Sequence, residues 1–309
     1  MKPLRIGTRG SALALWQAEF VRDWLERAAG ATAEIIKIRT AGDQFQQGSV
    51  AAIGSKGVFI KEIEDALLAG TVDLAVHSLK DVPTEIPKGL ALVAIPRRED
   101  PRDCLVSRTG AELAGLPHGA RVGTSSLRPQ AQLRRARPDL DVRELRGNVD
   151  TRLRRVEEGT LDATVLAYAG LRRLKLDGRA SEVLSPEVML PAVGQGALAV
   201  EAREEDRATR DRLAALEHAD TRVAVTAERA VLATLEGGCQ VPLGAWGRVE
   251  DGRLVLDACV CAADGSEVVR DRAEGSPEQP EALGRALGRK LIAAGADRLL
   301  RMAGRSVDG

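Results

Sequence analysis

The stretch Leu235–Gly244, L-E-G-G-C-Q-V-P-L-G, presents one cysteine, Cys239, behind two glycines and ahead of a proline. Gly237 and Gly238 open backbone angles closed to other residues, and Pro242 ends regular structure soon afterwards. The thiol therefore belongs to a turn that follows a long helical pattern. Two roles fit such a residue: a small buried group at a helix end, or an exposed thiol that forms a covalent bond. A second stretch, Ser78-Leu79-Lys80-Asp81-Val82-Pro83, follows an apolar strand-like run. Its Asp81 could stabilise a developing positive charge or hold an N–H donor. The plainer alternative is a Lys80–Asp81 pair at a surface turn.

A third signal occurs twice. Thr8-Arg9-Gly10-Ser11 and Gly123-Thr124-Ser125-Ser126-Leu127-Arg128 each set small hydroxyl residues at the start of a helical pattern. Free N–H groups and the helix dipole favour an anion there, although Ser and Thr are also ordinary caps. Two such turns, each with an arginine, tilt the reading towards anion binding. Leu145-Arg146-Gly147-Asn148 continues the theme: Asn148 caps the next helix and Arg152 lies one turn in. Arg172 and Arg173 follow a further strand end, whereas Arg154 and Arg155 read as a solvated face. Arginine forks grip carboxylates bidentately, so a small ligand with several carboxylates suits this set better than a single phosphate. Lys56 and Lys61 flank a helix start and either meet anions or face water.

These residues need a scaffold, and the hydrophobic periodicity supplies one. Strands are expected at Leu4–Thr8, Ala33–Ile38, Val72–Val76 and Leu90–Ile95, with helices at Ser11–Ala28 and Gly57–Ala69. The polar stretch Arg39–Lys56 has the length of a functional lid. Arg97–Arg102 reads as a crossing, after which the pattern restarts. Strands are then expected at Cys104–Val106, Ala120–Gly123, Asp141–Leu145 and Ala163–Ala167, with helices at Ser125–Arg137 and Val149–Glu158. Leu190–Gly196 is a second crossing, and Ala197–Glu201 a strand that rejoins the first half. The halves repeat one another: Arg5-Ile6-Gly7-Thr8 resembles Arg121-Val122-Gly123-Thr124, and Gly70-Thr71-Val72-Asp73 resembles Gly159-Thr160-Leu161-Asp162. Two α/β lobes joined by two crossings imply a cleft between them. A helix at Asp220–Leu235, a meander at Ala245–Val249, Arg253–Cys261 and Glu267–Ala273, and a single last helix at Gln279–Arg301 make a third, α+β domain. The expected boundaries are 1–96 with 197–216, 97–196, and 217–309.

Composition narrows the function classes. With 309 residues, 44% hydrophobic and 29% charged, the chain has room for two or three domains. Formal net charge is zero and aromatics are 2%, which counts against nucleic acid as a partner. Arg far outnumbers Lys. No apolar run approaches a membrane span, and the first thirty residues carry no apolar leader core, so a cytoplasmic protein is expected. Cys104, Cys239, Cys259 and Cys261 form no disulfide framework, and His77, His118 and His218 are scattered, so no metal site is expected.

Read in order, the chain resembles the porphobilinogen deaminase (hydroxymethylbilane synthase) family. The matching strings run from R-I-G-T-R-G-S-A-L-A-L-W-Q at Arg5–Gln17 to E-G-G-C-Q-V-P-L-G at Glu236–Gly244. Between them stand G-V-F-I-K-E-I-E, A-V-H-S-L-K-D-V-P, R-E-D-P-R-D, V-G-T-S-S-L-R, L-R-G-N-V-D-T-R-L and L-P-A-V-G-Q-G-A. The resemblance implies two lobes like those of type II periplasmic binding proteins, a smaller C-terminal α+β domain, and a monomer. It also implies an enzyme that joins four porphobilinogen molecules head to tail with loss of ammonia. The growing chain is carried on a dipyrromethane cofactor attached by a thioether, here to Cys239, and hydroxymethylbilane is released by hydrolysis.

By the same resemblance Asp81 is the catalytic carboxylate. Ser78, Lys80, Asp81, Thr124, Ser125, Ser126, Arg128, Arg146, Gly147 and Asn148 match positions that hold the cofactor. Arg9, Ser11, Arg146, Arg152, Arg173, Gln195 and Gly196 match positions that meet the substrate, and Lys56 belongs to the lid. One departure stands out: Pro129 occupies a place where the family usually has a second arginine, so either Arg134 or Arg135 substitutes or one substrate arm is held less tightly. A different class, a non-catalytic two-lobed anion-binding protein, shares the paired turns and the arginines. It lacks a reason for the presented cysteine.

Overall fold

The structure is a computed structural model that describes residues 2–40, 60–235 and 241–305. The chain divides into two compact units, Met1–Glu99 with Ala197–Arg222, and Asp100–Gly196 with Val223–Gly309.

The first unit is built on a five-stranded sheet. Its elements are β1 (Leu4–Thr8), α1 (Ala12–Ala28), β2 (Ala33–Lys37), α2 (Lys61–Leu68), β3 (Leu74–Ser78) and β4 (Leu90–Ala94). Apolar residues of α1, among them Val21 and Leu25, cover one face of the sheet. Ile63 and Leu67 of α2 cover the other, against Val72, Ala75 and Leu90. A sheet buried on both faces reads as continuous apolar runs, and β3 is the clearest case.

The second unit repeats this plan with β5 (Asp103–Ser107), β6 (Arg121–Gly123), α3 (Leu127–Ala136), β7 (Asp141–Arg143), α4 (Val149–Glu157), β8 (Ala163–Ala167), α5 (Tyr168–Arg173) and β9 (Glu182–Val183). The chain then returns to the first sheet as β10 (Leu198–Arg203), antiparallel to both β3 and β4, where the apolar run at Ala197–Glu201 suggested a rejoining strand. The two sheets have the orders β2-β1-β3-β10-β4 and β7-β6-β8-β5-β9. In each, the fourth strand follows one of the two crossings and runs antiparallel to its neighbours.

The likeness of the halves extends to atoms. Arg5 forks onto Asp73, with Nε to Oδ2 at 3.1 Å and Nη2 to Oδ1 at 2.8 Å, and its backbone N–H also donates to Oδ2. A further Nη2 bond reaches Gly70 O at 2.7 Å. Arg121 makes the same four bonds, to Asp162 and to Gly159 O. Each strap ties the entry of the first parallel strand to the turn before the third. Gly123 is required beside its strap, because a Cβ there would lie 2.9 Å from Leu145 Cβ, close to the backbone, as well as 2.5 Å from Leu161 Cδ1.

A three-stranded antiparallel sheet completes the second unit: β11 (Leu243–Glu250), β12 (Arg253–Cys261) and β13 (Val268–Gly275). It packs with α7 (Ala219–Thr234), which follows the short α6 (Arg207–Leu213). The predicted single helix at Gln279–Arg301 is instead two, α8 (Pro280–Ala293) and α9 (Ala296–Arg305). Gly295 adopts φ +100 between them, a left-handed conformation that ends a helix, and the apolar periodicity masks the break. Leu287, Leu291 and Leu299 from the two helices share one core with β12, which is why the periodicity survives the break.

Candidate active site

In the first unit, the residues singled out by type gather at the carboxyl ends of β1 and β3. Ser11 caps α1, its Oγ accepting from Ala14 N–H at 3.3 Å. Gln17, buried on the same helix, donates to Ser78 Oγ at 2.7 Å. After β3 the chain turns through a 3-10 segment, Leu79–Asp81. Leu79 is buried, and its N–H donates to Ala197 O at 3.0 Å, so the turn is pinned to the strand end. The pinning leaves Lys80 half-buried and Asp81 exposed. Arg9, Ser11, Gln17, His77, Ser78 and Asp81 line a cavity of about 80 Å³ together with apolar residues of α1 and α2. The His77 ring in its wall is held by Glu201 of β10, Nε2 to Oε2 at 3.0 Å, with both side chains buried.

The second unit gathers its residues around the starts of α3 and α4. Thr124 is buried, its N–H bonded to Arg143 O at 2.9 Å. Ser126 stands at the N-cap of α3 but makes no side-chain capping bond, so its hydroxyl is not spent on the helix. Asn148 caps α4 with Oδ1 accepting from Thr151 N–H at 3.0 Å. Gly147 before it has φ +116, and a Cβ there would lie 2.8 Å from Thr151 Cγ2, so no other residue fits.

Arg152, one turn into α4, bridges both turns: Nε donates to Gly147 O at 2.8 Å and Nη2 to Ser125 Oγ at 3.0 Å. Both acceptors are neutral. Burial lowers its pKa, and no described acid offsets that loss of hydration. A half-buried guanidinium whose described partners are neutral oxygens has the chemistry to take a carboxylate. Arg146 is exposed, with Nε on Glu144 Oε1 at 2.6 Å. Arg173, on α5, is buried and donates to Gly196 O at 2.6 Å, and Gln195 donates to Pro101 O at 2.7 Å.

Arg128, expected to hold the cofactor, has partners inside the protein. It is buried, and its two Nη atoms fork onto the buried Asp103 at 2.7 and 2.9 Å, with a further bond to Leu190 O. Its fork is filled from within the protein, so it ties α3 to β5 and to the segment before the second crossing. Sequence reasoning missed Asp103 as its partner. The one available signal was an acid opening an apolar strand, D-C-L-V-S, where a buried charge needs a mate. Glu201, inside the apolar L-A-V-E-A, carried the same signal for His77.

Pro129 lies in the first turn of α3, where its missing N–H costs nothing. Arg134 and Arg135 are in the last turn of the same helix, and Arg134 donates to Ala263 O, so neither stands where Pro129 does. Cys104, Cys259 and Cys261 are buried and unoxidised. Burial pushes the Cys104 thiol up to about 12, and the hydrogen bond with Cys259 together with burial pushes Cys261 up as well. The hydrogen bond with Cys261 pulls the Cys259 thiol down, but Cys259 is buried in an apolar cluster, so none of the three is presented to a substrate. Cys239 and Lys56 lie outside the described residues.

Comparison with known proteins gives a consistent result. Residues 4–211 match the family model described as porphobilinogen deaminase, dipyromethane cofactor binding domain, and residues 223–293 match porphobilinogen deaminase, C-terminal domain. Similar curated proteins include the porphobilinogen deaminase of Syntrophobacter fumaroxidans, 51% identical over 298 residues, covering 96% of this chain and 96% of the relative. That of Syntrophotalea carbinolica is 53% identical over 298 residues, covering 96% and 95%. Among solved structures, a periplasmic substrate-binding protein of an ABC transporter from Coxiella burnetii aligns with a TM-score of 0.44 at 16% identity, covering 69% of this chain and 91% of that one. A putative methionine-binding lipoprotein from Bacillus subtilis aligns with the same TM-score at 15% identity, covering 70% and 90%.

Proposed function

The chain belongs to the porphobilinogen deaminase family, and from that premise we propose which of its residues carry the activity. The activity is the head-to-tail condensation of four porphobilinogen molecules with loss of ammonia, and the product is hydroxymethylbilane. It is a transferase reaction. A dipyrromethane cofactor supplies the covalent primer on which the chain grows.

The observation that carries the residue assignment is the small cavity that ends at Asp81 and is lined by Arg9, Ser11, His77 and Ser78. Asp81 is the catalytic carboxylate. It stabilises the positive charge that develops on a pyrrole as ammonia leaves, at a turn rigid enough to need little reorganisation. Arg9, Ser11 and Lys80 take acetate and propionate arms in the first unit, and Gln17 orients the Ser78 hydroxyl. In the second unit Arg152, Arg173 and Arg146 take further arms, with Gln195 and Gly196 beside them. Ser125, Ser126, Gly147 and Asn148 present backbone N–H groups, and the two serines their hydroxyls, to carboxylates at two helix starts, while the buried Thr124 anchors the first turn through its bond to Arg143 O. The donor set fits a polycarboxylate such as dipyrromethane, because the half-buried Arg152 has neutral oxygens as its described partners. Cys239 is the thioether anchor, in a C-terminal domain of residues 217–309, and Lys56 belongs to the lid. Arg128 is assigned a positioning role through Asp103 rather than contact with the cofactor.

The protein is proposed to act as a cytoplasmic monomer with no nucleic-acid or membrane partner. No helix among the described residues is long and apolar enough to cross a membrane. Incubation of Asp81→Asn with porphobilinogen tests the central assignment. The expected outcome is a folded protein, by circular dichroism, that retains its covalent cofactor by intact mass yet releases ammonia at least about a hundredfold more slowly. Native turnover in that variant would remove Asp81 from the mechanism.

A further inference from the structure

In and behind the wall of the Asp81 cavity lie three ionisable groups that the reaction as assigned does not use. Ala75 and His77 of β3 alternate onto the face of the first sheet that α2 covers. On β10, Val200 and Ala202 belong to the opposite core, so Glu201 between them also faces α2. Glu201 is 0% exposed, and its Oε2 lies 3.0 Å from His77 Nε2. Its other oxygen, Oε1, is buried without a hydrogen-bond partner. Glu64 belongs to α2, the helix packed on that face, and its Oε1 is likewise buried and unpartnered.

A carboxylate can only accept hydrogen bonds. One proton converts an orphaned oxygen into a donor, and two like charges in one apolar site resist joint ionisation. Burial and the charge of Glu201 push the Glu64 carboxyl up to about 7, against an opposing pull from His77, with Asp65 adding a small push of its own. Among the other charged groups on the packed elements, Lys61, Glu62 and Asp65 share α2 with Glu64, Lys61 and Asp65 exposed and Glu62 half-buried, and Glu34 is exposed on β2. Arg5 of β1 is strapped to Asp73, and Arg203 of β10 donates to Leu67 O and Val72 O at the far end of α2. Apart from His77, β3 brings no titratable group to this face, and β4 brings none at all.

We propose that Glu64 and the hydrogen-bonded Glu201–His77 pair form one electrostatically coupled unit behind the substrate cavity. Glu201 is the positioning residue that fixes the His77 ring in the cavity wall. Glu64 is the group whose proton sets the charge behind that wall, and it exchanges the proton with solvent because its side chain is only partly covered. The consequence for binding rests on the assignment of this cavity to porphobilinogen. As pH rises through neutrality the unit gains one negative charge, which weakens the hold on a substrate that is itself an anion.

The test follows the His77 ring by NMR in the full-length protein from pH 5 to 9, alongside the KM for porphobilinogen. In the native chain the ring signals are expected to shift in a step near pH 7, and KM to climb severalfold across the same range. Glu64→Gln is expected to abolish the step and flatten the climb, while Glu64→Asp, which keeps an acid, retains both. A His77 step that persists unchanged in Glu64→Gln overturns the proposal, as does a native chain with no step. A KM that climbs equally in native and Glu64→Gln protein overturns the link to binding. The ring signals are read without turnover, so a failure of the deaminase assignment is seen separately, as absent ammonia release from the native protein.

Discussion

At the scale of single residues, two side chains with similar sequence signals have opposite fates. Arg128 and Arg152 both sit by hydroxyl-rich turns at helix starts. Arg128 meets a buried aspartate and is neutralised inside the protein, whereas Arg152 meets only neutral oxygens. Their variants should separate accordingly. Arg128→Ala leaves Asp103 as a buried uncompensated charge and should cost about 3–5 kcal/mol of stability, read from urea unfolding. Arg152→Ala should leave the unfolding curve within about 1 kcal/mol of native while raising the KM for porphobilinogen. At Cys239 the expected outcome is also distinct. Cys239→Ser should show no covalent addition by intact mass, whatever happens at the three buried thiols, and a cofactor mass on that variant would refute the anchor assignment.

At the scale of elements, the paired straps explain how short parallel strands hold their register. β6 has only three residues, too few for its ladder bonds to set it in place. The Arg121–Asp162 fork and the backbone bond from Arg121 N–H add the missing constraint. The hydrogen bonds from Arg121 hold the Asp162 carboxyl down at about 2. A depressed carboxyl contributes stability that is present above its ordinary 3.8 and is lost as pH falls through about 2. Asp162→Asn should therefore lower stability at pH 7 by about 1–2 kcal/mol, since both side chains are partly in water. The native and variant stabilities should converge between pH 4 and 2, which acid-unfolding curves would show.

At the scale of the whole molecule, the order of strands matters more than their number. β10 lies between β3 and β4 in the first sheet, yet it is made only after the second sheet is complete. A fragment of residues 1–99 leaves both neighbours with open edges and removes Glu201 from behind His77. It should fail to give dispersed NMR signals. The same fragment linked to residues 197–222 restores the strand and should fold. Equal dispersion in the two fragments would show that β10 is dispensable.

Much of this was legible in the chain alone. Strong apolar periodicity located nearly every strand and helix, and the repeated Arg-x-Gly-Thr and Gly-Thr-x-Asp strings announced two similar halves. The turns with hydroxyl and arginine residues announced anion handling, and the family strings named its chemistry. Those signals are local: a cap, a turn glycine or an amphipathic stripe is read within a few residues. What the tertiary structure decided was partnership. Asp103 finds Arg128 at 25 residues' separation, and His77 finds Glu201 at 124. The fate of a charge depends on what the fold packs against it, because burial multiplies the value of a partner and the cost of lacking one. Residue type therefore announced which side chains could bind an anion, and packing decided which of them already had one.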